Sequence, residues 1–401
     1  MKKLSILSVG MLALLAAALP LMAQAPYAPK GFAHTNVVVL DAQHYNTPTG
    51  ILPRQFRAAY GFNQIPNHGA GVTIALVDAY KDPNIVSDLA FYASYFNLAP
   101  CNFTVVDQAT VEGQGWDLEE SLDVQQACAL APQANIVLVE AASSSYTDLL
   151  TAVATATQAP YNASVVSMSW GGSSGSGENE YDTYFCNITN GLGQPVTYLA
   201  ATGDGGHGTI YPSTSPCVVA AGGTDLVLST STPGPNPLAL DYGHETAWDG
   251  SGGGIDPYET ETSWQVTACT AFSPNGGRCV PDIASDADPG TGVPVYDTYS
   301  YPGWVQVGGT SVATPDWGGF FTLVNSERVA NGGTTLSQAA SDLYTLYYNA
   351  TDYAADFHDI TTGTNGSCGL DCTAATGYDL VTGIGTYQAN HLYPALVADP
   401  N

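Results

Sequence analysis

GVTIALVD, residues 71–78, is a continuous apolar run, rich in β-branched side chains, that ends on an aspartate. An apolar run of this length predicts a β-strand that is buried on both faces. The segment that follows, residues 85–96, carries apolar side chains at helical spacing and predicts a helix. A buried strand followed by a helix is the repeating unit of an α/β fold with a parallel sheet.

The same alternation of strands and helices continues along the chain after residue 96. The segments predicted from their patterns are strands at 134–140, 164–170 and 196–200 and helices at 116–130, 146–157, 179–190 and 311–329. Residues 230–302, rich in Gly, Pro, Asp and Tyr, predict short strands and loops within the same domain. We therefore expect a mostly parallel sheet covered by helices, with a functional site at the carboxyl ends of its strands.

The charge balance argues against partners that are themselves anionic. Among the 401 residues, 36 Asp and Glu oppose 8 Lys and Arg, which gives a formal net charge of −28. A polyanion repels nucleic-acid phosphates and anionic membrane surfaces. Because 45% of the residues are apolar and only 11% are charged, the chain can still build a large core, unlike a disordered acidic segment.

The N-terminus has the features of a secretory signal peptide. Two lysines follow Met1, an uncharged apolar run covers residues 4–19, and small residues near 23–25 offer a cleavage site. We predict a signal peptide over residues 1–25, followed by an extended lead-in over residues 26–50. The protein is then expected outside the cell or in the periplasm, with no membrane association once the signal is removed.

The eight cysteines form an even number in a chain predicted to be exported, which predicts disulfides. Proximity along the sequence favours Cys269–Cys279 and Cys368–Cys372 and leaves the pairing of the other four open. A zinc site is disfavoured, because the spacings lack paired C-x-x-C units.

GGTSVATP, residues 308–315, contains the candidate nucleophile. Its two glycines allow a tight turn, and a proline in the first turn suits the start of a helix. Ser311 is then expected at a helix N-terminus, where free N–H groups and the helix dipole favour developing negative charge. A serine there acts as a nucleophile if a base lies within hydrogen-bond reach, and the alternative is a simple N-cap.

Carboxyl groups are the first candidates for that base. Glu119 and Asp123 stand four residues apart, hence on one face of the helix predicted at 116–130. Glu120 precedes Asp123 by three residues, and spacing does not choose between the two glutamates. Asp204, between glycines, follows the strand predicted at 196–200, where the alternative is an ordinary turn aspartate.

A histidine base is disfavoured by its position in the sequence. Asp78 and His207 would be the aspartate and histidine of a subtilisin-type triad with Ser311. In subtilisins the histidine follows the aspartate by about thirty residues. His207 lies much further downstream, so this triad stays an alternative.

The carboxyl and serine motifs together resemble those of the sedolisins, or serine-carboxyl peptidases, which replace the histidine of the related subtilisins with carboxyl groups. The matching segments, in the order of that family, are E-x-x-x-D at 119–123, Gly203-Asp204 and Gly309-Thr310-Ser311, with further likeness at 77–80, 222–224, 245–248 and 281–288. The resemblance implies an α/β, subtilisin-like three-layer fold, with a mostly parallel central sheet flanked by helices and a catalytic domain over residues 51–395.

The resemblance also implies the roles of the site residues. Ser311 would be the nucleophile, Glu119 rather than Glu120 the general base, and Asp123 the acid that supports Glu119. Asp204 would stabilise the oxyanion, and it must be protonated to donate a hydrogen bond there. Because clustered carboxyl groups raise one another's pKa values, we expect peptide hydrolysis with an acidic optimum.

A C-terminal calcium-binding loop for one Ca²⁺ ion is a further implication of the resemblance. The ligands would be the carboxylates of Asp359 and Asp379 with the carbonyls of Ile360, Ala375 and Gly377, an all-oxygen set that suits Ca²⁺. The expected partners are protein or peptide substrates, and the expected state is a monomer.

The chain departs from the family pattern at its N-terminus. The family carries a domain-sized prosegment, whereas only a short segment separates the predicted signal from the catalytic region here. We expect one of three consequences: the protein folds unassisted, a separate chain helps it to fold, or its activity is altered. A non-catalytic secreted peptide-binding protein on the same scaffold and a His-dependent subtilisin-type protease are the alternative functions.

Overall fold

The computed structural model describes residues 31–41, 44–229 and 241–400, so the predicted signal peptide lies outside the described residues. The strands within them are β1 (His34–Thr35), β2 (Val38–Val39), β3 (Thr73–Ala79), β4 (Asn102–Asp107), β5 (Asn135–Ala141), β6 (Val165–Met168), β7 (Trp170–Ser173), β8 (Thr197–Ala201), β9 (Ile210–Tyr211), β10 (Val219–Leu228), β11 (Tyr242–Ala247), β12 (Gly254–Thr260), β13 (Gly277–Val280), β14 (Ile283–Asp286), β15 (Val293–Asp297), β16 (Gly303–Gly308), β17 (Phe357–His358) and β18 (Thr386–Tyr387).

Helices connect most of the central strands. The α-helices are α1 (Pro53–Ala59), α2 (Ile85–Tyr95), α3 (Asp117–Leu130), α4 (Tyr146–Thr157), α5 (Val266–Cys269), α6 (Thr310–Ala330), α7 (Ala339–Tyr348), α8 (Ala350–Asp356) and α9 (Ala389–Val397), and 3-10 helices cover Phe62–Gln64, Glu178–Tyr184 and Gly369–Cys372.

The central sheet runs in the order β11-β10-β8-β6-β3-β5-β4, and β14 also pairs with β10. Its neighbouring strands are parallel, except for the antiparallel β10–β11 pair, so the prediction of a mostly parallel sheet is confirmed. The strand predicted first, β3, lies between β5 and β6 near the middle of the sheet, with Asp78 opposite Glu140 of β5.

Alternate side chains of β3 enter the two cores of the molecule. Ile74 and Leu76 belong to the core that includes side chains of α2, α3, α6 and α9. Ala75 and Val77 belong to the core on the other face, with α4. Because side chains alternate between the faces of a strand, helices on both faces bury every position of β3, which is the three-layer arrangement predicted.

α6 is the helix that joins the layers to the site. It packs against α3 and against β6, β8, β10 and β14, and most of its residues are buried. Its first residue, Thr310, directly follows the turn after β16. None of the helices in the described residues is both long and apolar enough to cross a membrane.

Two predicted elements differ in the structure. The strand predicted at 164–170 breaks at Ser169, because β6 belongs to the central sheet whereas β7 pairs with β1 and β9. The helix predicted at 179–190 is wrong, since only a 3-10 helix forms over Glu178–Tyr184. Asn187 adopts a left-handed conformation with φ of 59°, which ends helical geometry there.

Four disulfides are present in the described residues. The two pairs favoured by sequence proximity form, and the remaining bridges are Cys101–Cys128 and Cys186–Cys217. The first of these ties the segment before β4 to α3, and the second ties the end of the 3-10 helix to the segment before β10. The prediction of disulfides is confirmed.

We predict that breaking one buried ion pair strongly destabilises the protein. Both charges of Arg278 and Asp282 are fully buried, and the two guanidinium nitrogens donate to the two carboxylate oxygens at 2.8 and 2.6 Å. Asp282→Asn leaves the guanidinium without its counter-charge, so the free energy of unfolding should fall by about 3–5 kcal/mol. Denaturant unfolding measures this loss.

A surface ion pair provides the matched control. The Lys81 and Asp107 side chains remain about a third exposed (35% and 36%). Lys81→Met should change the free energy of unfolding by less than about 1 kcal/mol, because water screens the pair. Equal effects of the two substitutions would contradict the special weight assigned to the buried pair.

Candidate active site

The start of α6 presents Ser311 at the carboxyl end of the central sheet. Gly309, just before the helix, has φ of 100°, and a Cβ atom there would lie 2.0 Å from the carbonyl oxygen of Asn36. Only glycine therefore fits at this turn. The Ser311 side chain is buried, and its hydroxyl donates to the carbonyl of Ser169 at 3.3 Å.

α3 carries the predicted acid pair beneath this serine. Glu119 and Asp123 are one turn apart and fully buried, because α3 is enclosed between the sheet, α2 and α6. The hydroxyl of Ser169 donates to Asp123 at 2.8 Å. Neither oxygen of Glu119 has a hydrogen bond of normal geometry in the described residues, but the Ser311 hydroxyl lies close enough to lower the pKa of Glu119.

Burial sets the proton affinity of both acids. Loss of hydration raises the pKa of Glu119 well above its usual value, and the nearby charges of Asp78 and Asp204 raise it further. The pKa of Asp123 is raised in the same way, by burial first and then by Asp78 and Glu119. Because the charged forms lack hydration, the group retains protons that exposed carboxyl groups would lose.

The structure separates the two glutamates that spacing left open. Glu120 accepts a hydrogen bond from the backbone N–H of Asp82 at 3.0 Å, and its pKa is raised by burial and by the charges of Asp78 and Glu140. Glu119 is the glutamate beside Ser311. The role of Glu119 as the base, which the resemblance implied, stays a prediction.

Asp204 lies on the other side of Ser311, in the turn after β8. Its Oδ1 accepts from the backbone N–H of Thr310 at 2.8 Å and from the Thr310 hydroxyl at 2.9 Å. Asp204 as a residue keeps some contact with solvent, but burial of its carboxyl group raises the pKa of that group to about 7. It therefore holds a proton in acid and can donate a hydrogen bond.

Two further residues of the site were missed at the sequence level. Ser169 contacts both Asp123 and Ser311, and Asp78 was considered only as the aspartate of a histidine triad. Asp78 is fully buried at the end of β3, where burial and the charge of Glu140 raise its pKa to about 8. The signal available was the position of each residue at the end of an apolar strand.

No cation neutralises these acids in the described residues. The ion pairs found there are Arg278–Asp282 and Lys81–Asp107, and neither includes an acid of the candidate site. The site is thus a set of carboxyl groups around a serine that can share, accept and donate protons. His207 is exposed and has no hydrogen bond to Ser311 in the described part of the chain.

The lead-in passes directly over the serine. The backbone N–H of Asn36 donates to the Ser169 carbonyl at 3.2 Å, and the Asn36 carbonyl accepts from the backbone N–H of Ser311 at 3.2 Å. The Asn36 carbonyl oxygen also lies over Gly309, on the side of Asp204. A Cβ atom on Gly309 would lie 2.0 Å from this oxygen and 2.8 Å from Oδ2 of Asp204. A peptide carbonyl of the chain itself is therefore at the serine.

Strand pairing holds this segment on both sides of Asn36. β1 pairs antiparallel with β7, with His34 opposite Gly171 and Thr35 opposite Trp170. β2 pairs antiparallel with the end of β16, so the residues after Asn36 are held as well. Residues 34–39 thus occupy the cleft as an added, extended β-strand.

The predicted calcium ligands lie in a separate C-terminal loop. The backbone N–H of Gly377 donates to Asp359 at 3.0 Å, and that of Ala375 donates to Asp379 at 3.0 Å, so both carboxylates contact the segment 375–377. Ile360 and Asp379 are buried. Two carboxylates without a cationic partner in the described residues, beside backbone carbonyls, fit the oxygen ligands that Ca²⁺ requires.

A family model also matches the chain. Residues 120–357 match the model of the Subtilase family. Kumamolisin from Bacillus sp. (strain MN-32) is 30% identical over 378 residues, covering 87% of this chain and 64% of the relative. Sedolisin from Pseudomonas sp. (strain 101) is 27% identical over 375 residues, covering 85% of this chain and 60% of the relative. The chain thus spans less than two thirds of the length of these curated relatives.

Comparison with solved structures gives the same relationship. The structure of Pseudomonas sedolisin, a serine-carboxyl proteinase complexed with two molecules of pseudo-iodotyrostatin, superposes with a TM-score of 0.71 and 25% identity, covering 87% of this chain and 98% of that one. The subtilisin-like fold that the motifs implied is confirmed. The chain belongs to the Subtilase family and, within it, to the sedolisins whose motifs its sequence carries.

Proposed function

We propose that the protein is an exported, acid-active serine-carboxyl peptidase that hydrolyses protein or peptide substrates. The observation that carries the proposal is the chain's own peptide in the cleft, with the Asn36 carbonyl on the Ser311 amide. A peptidase must hold a substrate carbonyl in this place for attack by the serine. The peptidase relatives support the same reaction, and the disulfides support export.

In the first step, the Ser311 hydroxyl attacks the carbonyl carbon of the bound peptide. Glu119, in its ionised form, accepts the hydroxyl proton as the new C–O bond forms, and Asp123 supports Glu119 from the next turn of α3. The C–N bond then breaks, and the proton passes to the leaving amine. Water cleaves the resulting ester by the same route and restores Ser311.

Asp204 and the backbone N–H of Ser311 would stabilise the oxyanion. The amide already donates to a peptide carbonyl, and the Asp204 carboxyl lies beside the same oxygen. The carboxyl can contribute only while it is protonated, because an ionised carboxylate would repel the negative oxygen. Its pKa of about 7 keeps it protonated in acid and ionises it as the pH rises through neutrality.

Two other functions remain as alternatives. A non-catalytic peptide-binding protein would use the same cleft, and the occupied cleft supports peptide binding as well as cleavage. A His-dependent protease has less support, because His207 is exposed and not hydrogen-bonded to Ser311 in the described residues. His207→Ala should leave peptidase activity nearly unchanged under our proposal.

We also propose that one Ca²⁺ ion binds at Asp359, Ile360, Ala375, Gly377 and Asp379. When bound, the ion would supply structural order by neutralising the two carboxylates and joining the segments that carry them. The loop lies apart from Ser311 in the chain and contributes none of the acids of the candidate active site. Its role is therefore stability of the C-terminal region.

We predict that the protein cleaves its own lead-in after Asn36. Intact-mass measurement of the wild-type protein in acid should show a new N-terminus at Val37, since the Asn36 carbonyl lies at the serine. Ser311→Ala or Glu119→Gln should retain the lead-in and lower peptide turnover by several orders of magnitude.

Another buried serine of α6 serves as the control. Ser326, whose hydroxyl donates to the Ala70 carbonyl at 2.6 Å, lies far along the helix from the site. Ser326→Ala should still lose the lead-in and cleave peptides. Cleavage at Asn36 that proceeds equally in Ser311→Ala would contradict the role of Ser311.

We predict that ionisation of Asp204 limits activity at high pH. A group with a pKa raised to about 7 is protonated below that pH, so kcat/KM should fall as the pH rises through about 7. In Asp204→Asn, the amide donates at every pH, so activity should be reduced but this decline should disappear. Full wild-type activity at pH 8 together with inactivity at pH 4 would refute the assignment.

We predict that chelation destabilises the protein through the C-terminal loop. Addition of EGTA should lower the Tm of the wild type, whereas Asp359→Asn should have a lower Tm that no longer responds to EGTA. Asp371→Asn, which removes an acid of the neighbouring 3-10 helix outside the ligand set, should keep the full EGTA response. An unchanged Tm of the wild type in EGTA would contradict the proposal that Ca²⁺ binds at this loop.

A further inference from the structure

A buried cluster of three aspartates lies outside the candidate active site. Asp82 is in the loop between β3 and α2, Asp88 is in the first turn of α2, and Asp297 is the last residue of β15. One carboxylate oxygen of each lies within 4.8 Å of the other two, and the three residues are at most 2% exposed. The fold thus encloses three acidic groups that repel one another when they are ionised.

Hydrogen bonds fix the positions of the three carboxyl groups. The backbone N–H two residues further along the chain donates to Oδ1 of Asp82 at 2.8 Å and, in the same way, to Oδ1 of Asp297 at 2.7 Å. Asp88 accepts from the backbone N–H of Thr298 at 2.7 Å and from the Thr298 hydroxyl at 2.9 Å. The last contacts join α2 to the turn after β15, so the three acids are held together by the fold.

Other oxygens of the cluster remain without a donor. Oδ2 of Asp82 and Oδ2 of Asp297 are buried and make no hydrogen bond of normal geometry in the described residues. Burial raises the pKa of Asp82 to about 7, and the Ser121 hydroxyl lies close enough to offset part of this rise. Neither aspartate belongs to an ion pair in the part of the chain that the structure describes. Buried carboxylate oxygens of this kind require a positive partner, either a proton or a cation.

A fourth acid adds negative charge at the same place. Asp117, the first residue of α3, is 1% exposed, and neither of its carboxylate oxygens has a hydrogen-bond partner within the described ranges. Burial raises the pKa of Asp297 to about 7, and the charges of Asp117 and Asp82 contribute to this rise. Several acids in one enclosed space favour a divalent cation, because one such ion offsets two charges.

The chemistry of the donor set suits Ca²⁺. The ligands are carboxylate oxygens, which this hard cation prefers, at distances of about 2.3–2.6 Å. Oxygens on opposite sides of the ion are then about 5 Å apart, so three oxygens within 4.8 Å of one another can contact one ion. Tyr299 and Ser300, which follow Asp297 closely, are exposed. The cluster therefore lies just beneath the surface, where water can fill the other ligand positions.

We infer that Asp82, Asp88 and Asp297 bind one Ca²⁺ ion, with Asp117 as a further negative charge beside it. The ion holds the loop after β3 to the turn after β15, next to the N-terminal end of α3. This site is separate from the C-terminal loop, whose proposed ligands begin at Asp359. Calcium binding is measured without peptide cleavage, so the inference is independent of the proposed peptidase reaction.

The number of protein ligands predicts weak binding. Three carboxylates, with water at the other positions, place the site among the weak extracellular calcium sites, whose Kd is about 10⁻⁴–10⁻³ M. The site therefore fills when Ca²⁺ is added at millimolar concentration and releases the ion when none is added. The EGTA response of the protein without added calcium then reports on the C-terminal loop alone.

The first test is thermal unfolding, at about pH 7.5, of the full chain with two substitutions. Ser311→Ala prevents self-cleavage, and Asp359→Asn removes the C-terminal site. Addition of about 10 mM Ca²⁺ should raise the Tm of this parent chain by roughly 2 °C or more. A further Asp297→Asn should remove most of the increase. Asp148→Asn, which changes a half-buried acid of α4 on the other face of the sheet, is the matched control and should keep it.

Unfolding in EGTA separates a lost site from a damaged fold. There, Asp297→Asn should melt at the same temperature as its parent or higher, because the amide removes one charge and its nitrogen can donate to the neighbouring carboxylates. Asp82→Asn changes the same cluster from a different element and should lose the calcium response as well. If Asp297→Asn melts lower than its parent in EGTA, the response of Asp82→Asn decides.

The second test uses Tb³⁺, which occupies oxygen-ligand calcium sites and emits when an excited tyrosine is near. A Cβ atom on Gly113 would lie 2.8 Å from the Tyr299 ring and 3.6 Å from Oδ1 of Asp117, so this ring lies beside the cluster. In the parent chain, Tb³⁺ emission should appear and Ca²⁺ should displace it. Asp297→Asn should weaken Tb³⁺ binding by roughly tenfold or more, whereas Tyr299→Phe should reduce the emission without changing the affinity.

The outcomes decide between a bound ion and shared protons. A Tm that Ca²⁺ raises equally in the parent, Asp297→Asn and Asp82→Asn chains, or raises in none of them, would overturn the site. Equal Tb³⁺ affinity of the parent and the Asp297→Asn chain would overturn it too. The acids would then hold protons only, and the peptidase proposal would be unaffected.

Discussion

Burial of carboxyl groups without a neutralising cation is the constraint on which the site depends. Glu119, Asp123 and Asp78 are fully buried; the charge of Asp78 raises the pKa of both other acids, and that of Glu119 raises the pKa of Asp123. An ionised acid in such a place loses its hydration, so the cluster is stable only while it holds protons. The proposed chemistry requires a proton on Asp204 and an ionised Glu119, so the packing of α3, which raises the pKa of Glu119, bears on the pH at which the site works.

The break between β6 and β7 gives the cluster access to a peptide. Ser169 leaves the central sheet there, and its hydroxyl reaches Asp123 while its carbonyl receives both the Ser311 hydroxyl and the Asn36 amide. One residue thus links the acids, the nucleophile and the bound segment. Because β7 no longer pairs within the central sheet, its edge is free to bind an extended chain, and β1 occupies it.

Most of the fold and part of the site follow from local sequence. The buried strands β3, β5 and β8, and the helices α2, α3, α4 and α6, lie within a residue or two of their predicted positions, because long apolar runs and helical spacing are strong signals. The helix predicted at 179–190 failed because its periodicity carried no information on the left-handed Asn187 or on the bridge from Cys186. The place of the lead-in could not be predicted either, since its strands are two residues long.

The sequence by itself determined which segments along the chain form strands and helices, the acidic composition and the motifs around Glu119, Asp204 and Ser311. These features depend on residue type and on spacing along the chain. Only the tertiary structure decided that Glu119 rather than Glu120 lies beside Ser311, that Asp78 and Ser169 join them, and that the backbone of Asn36 lies over the serine. Those contacts join segments far apart in sequence, and whether two such segments meet depends on strand order, register and burial, which no single segment encodes.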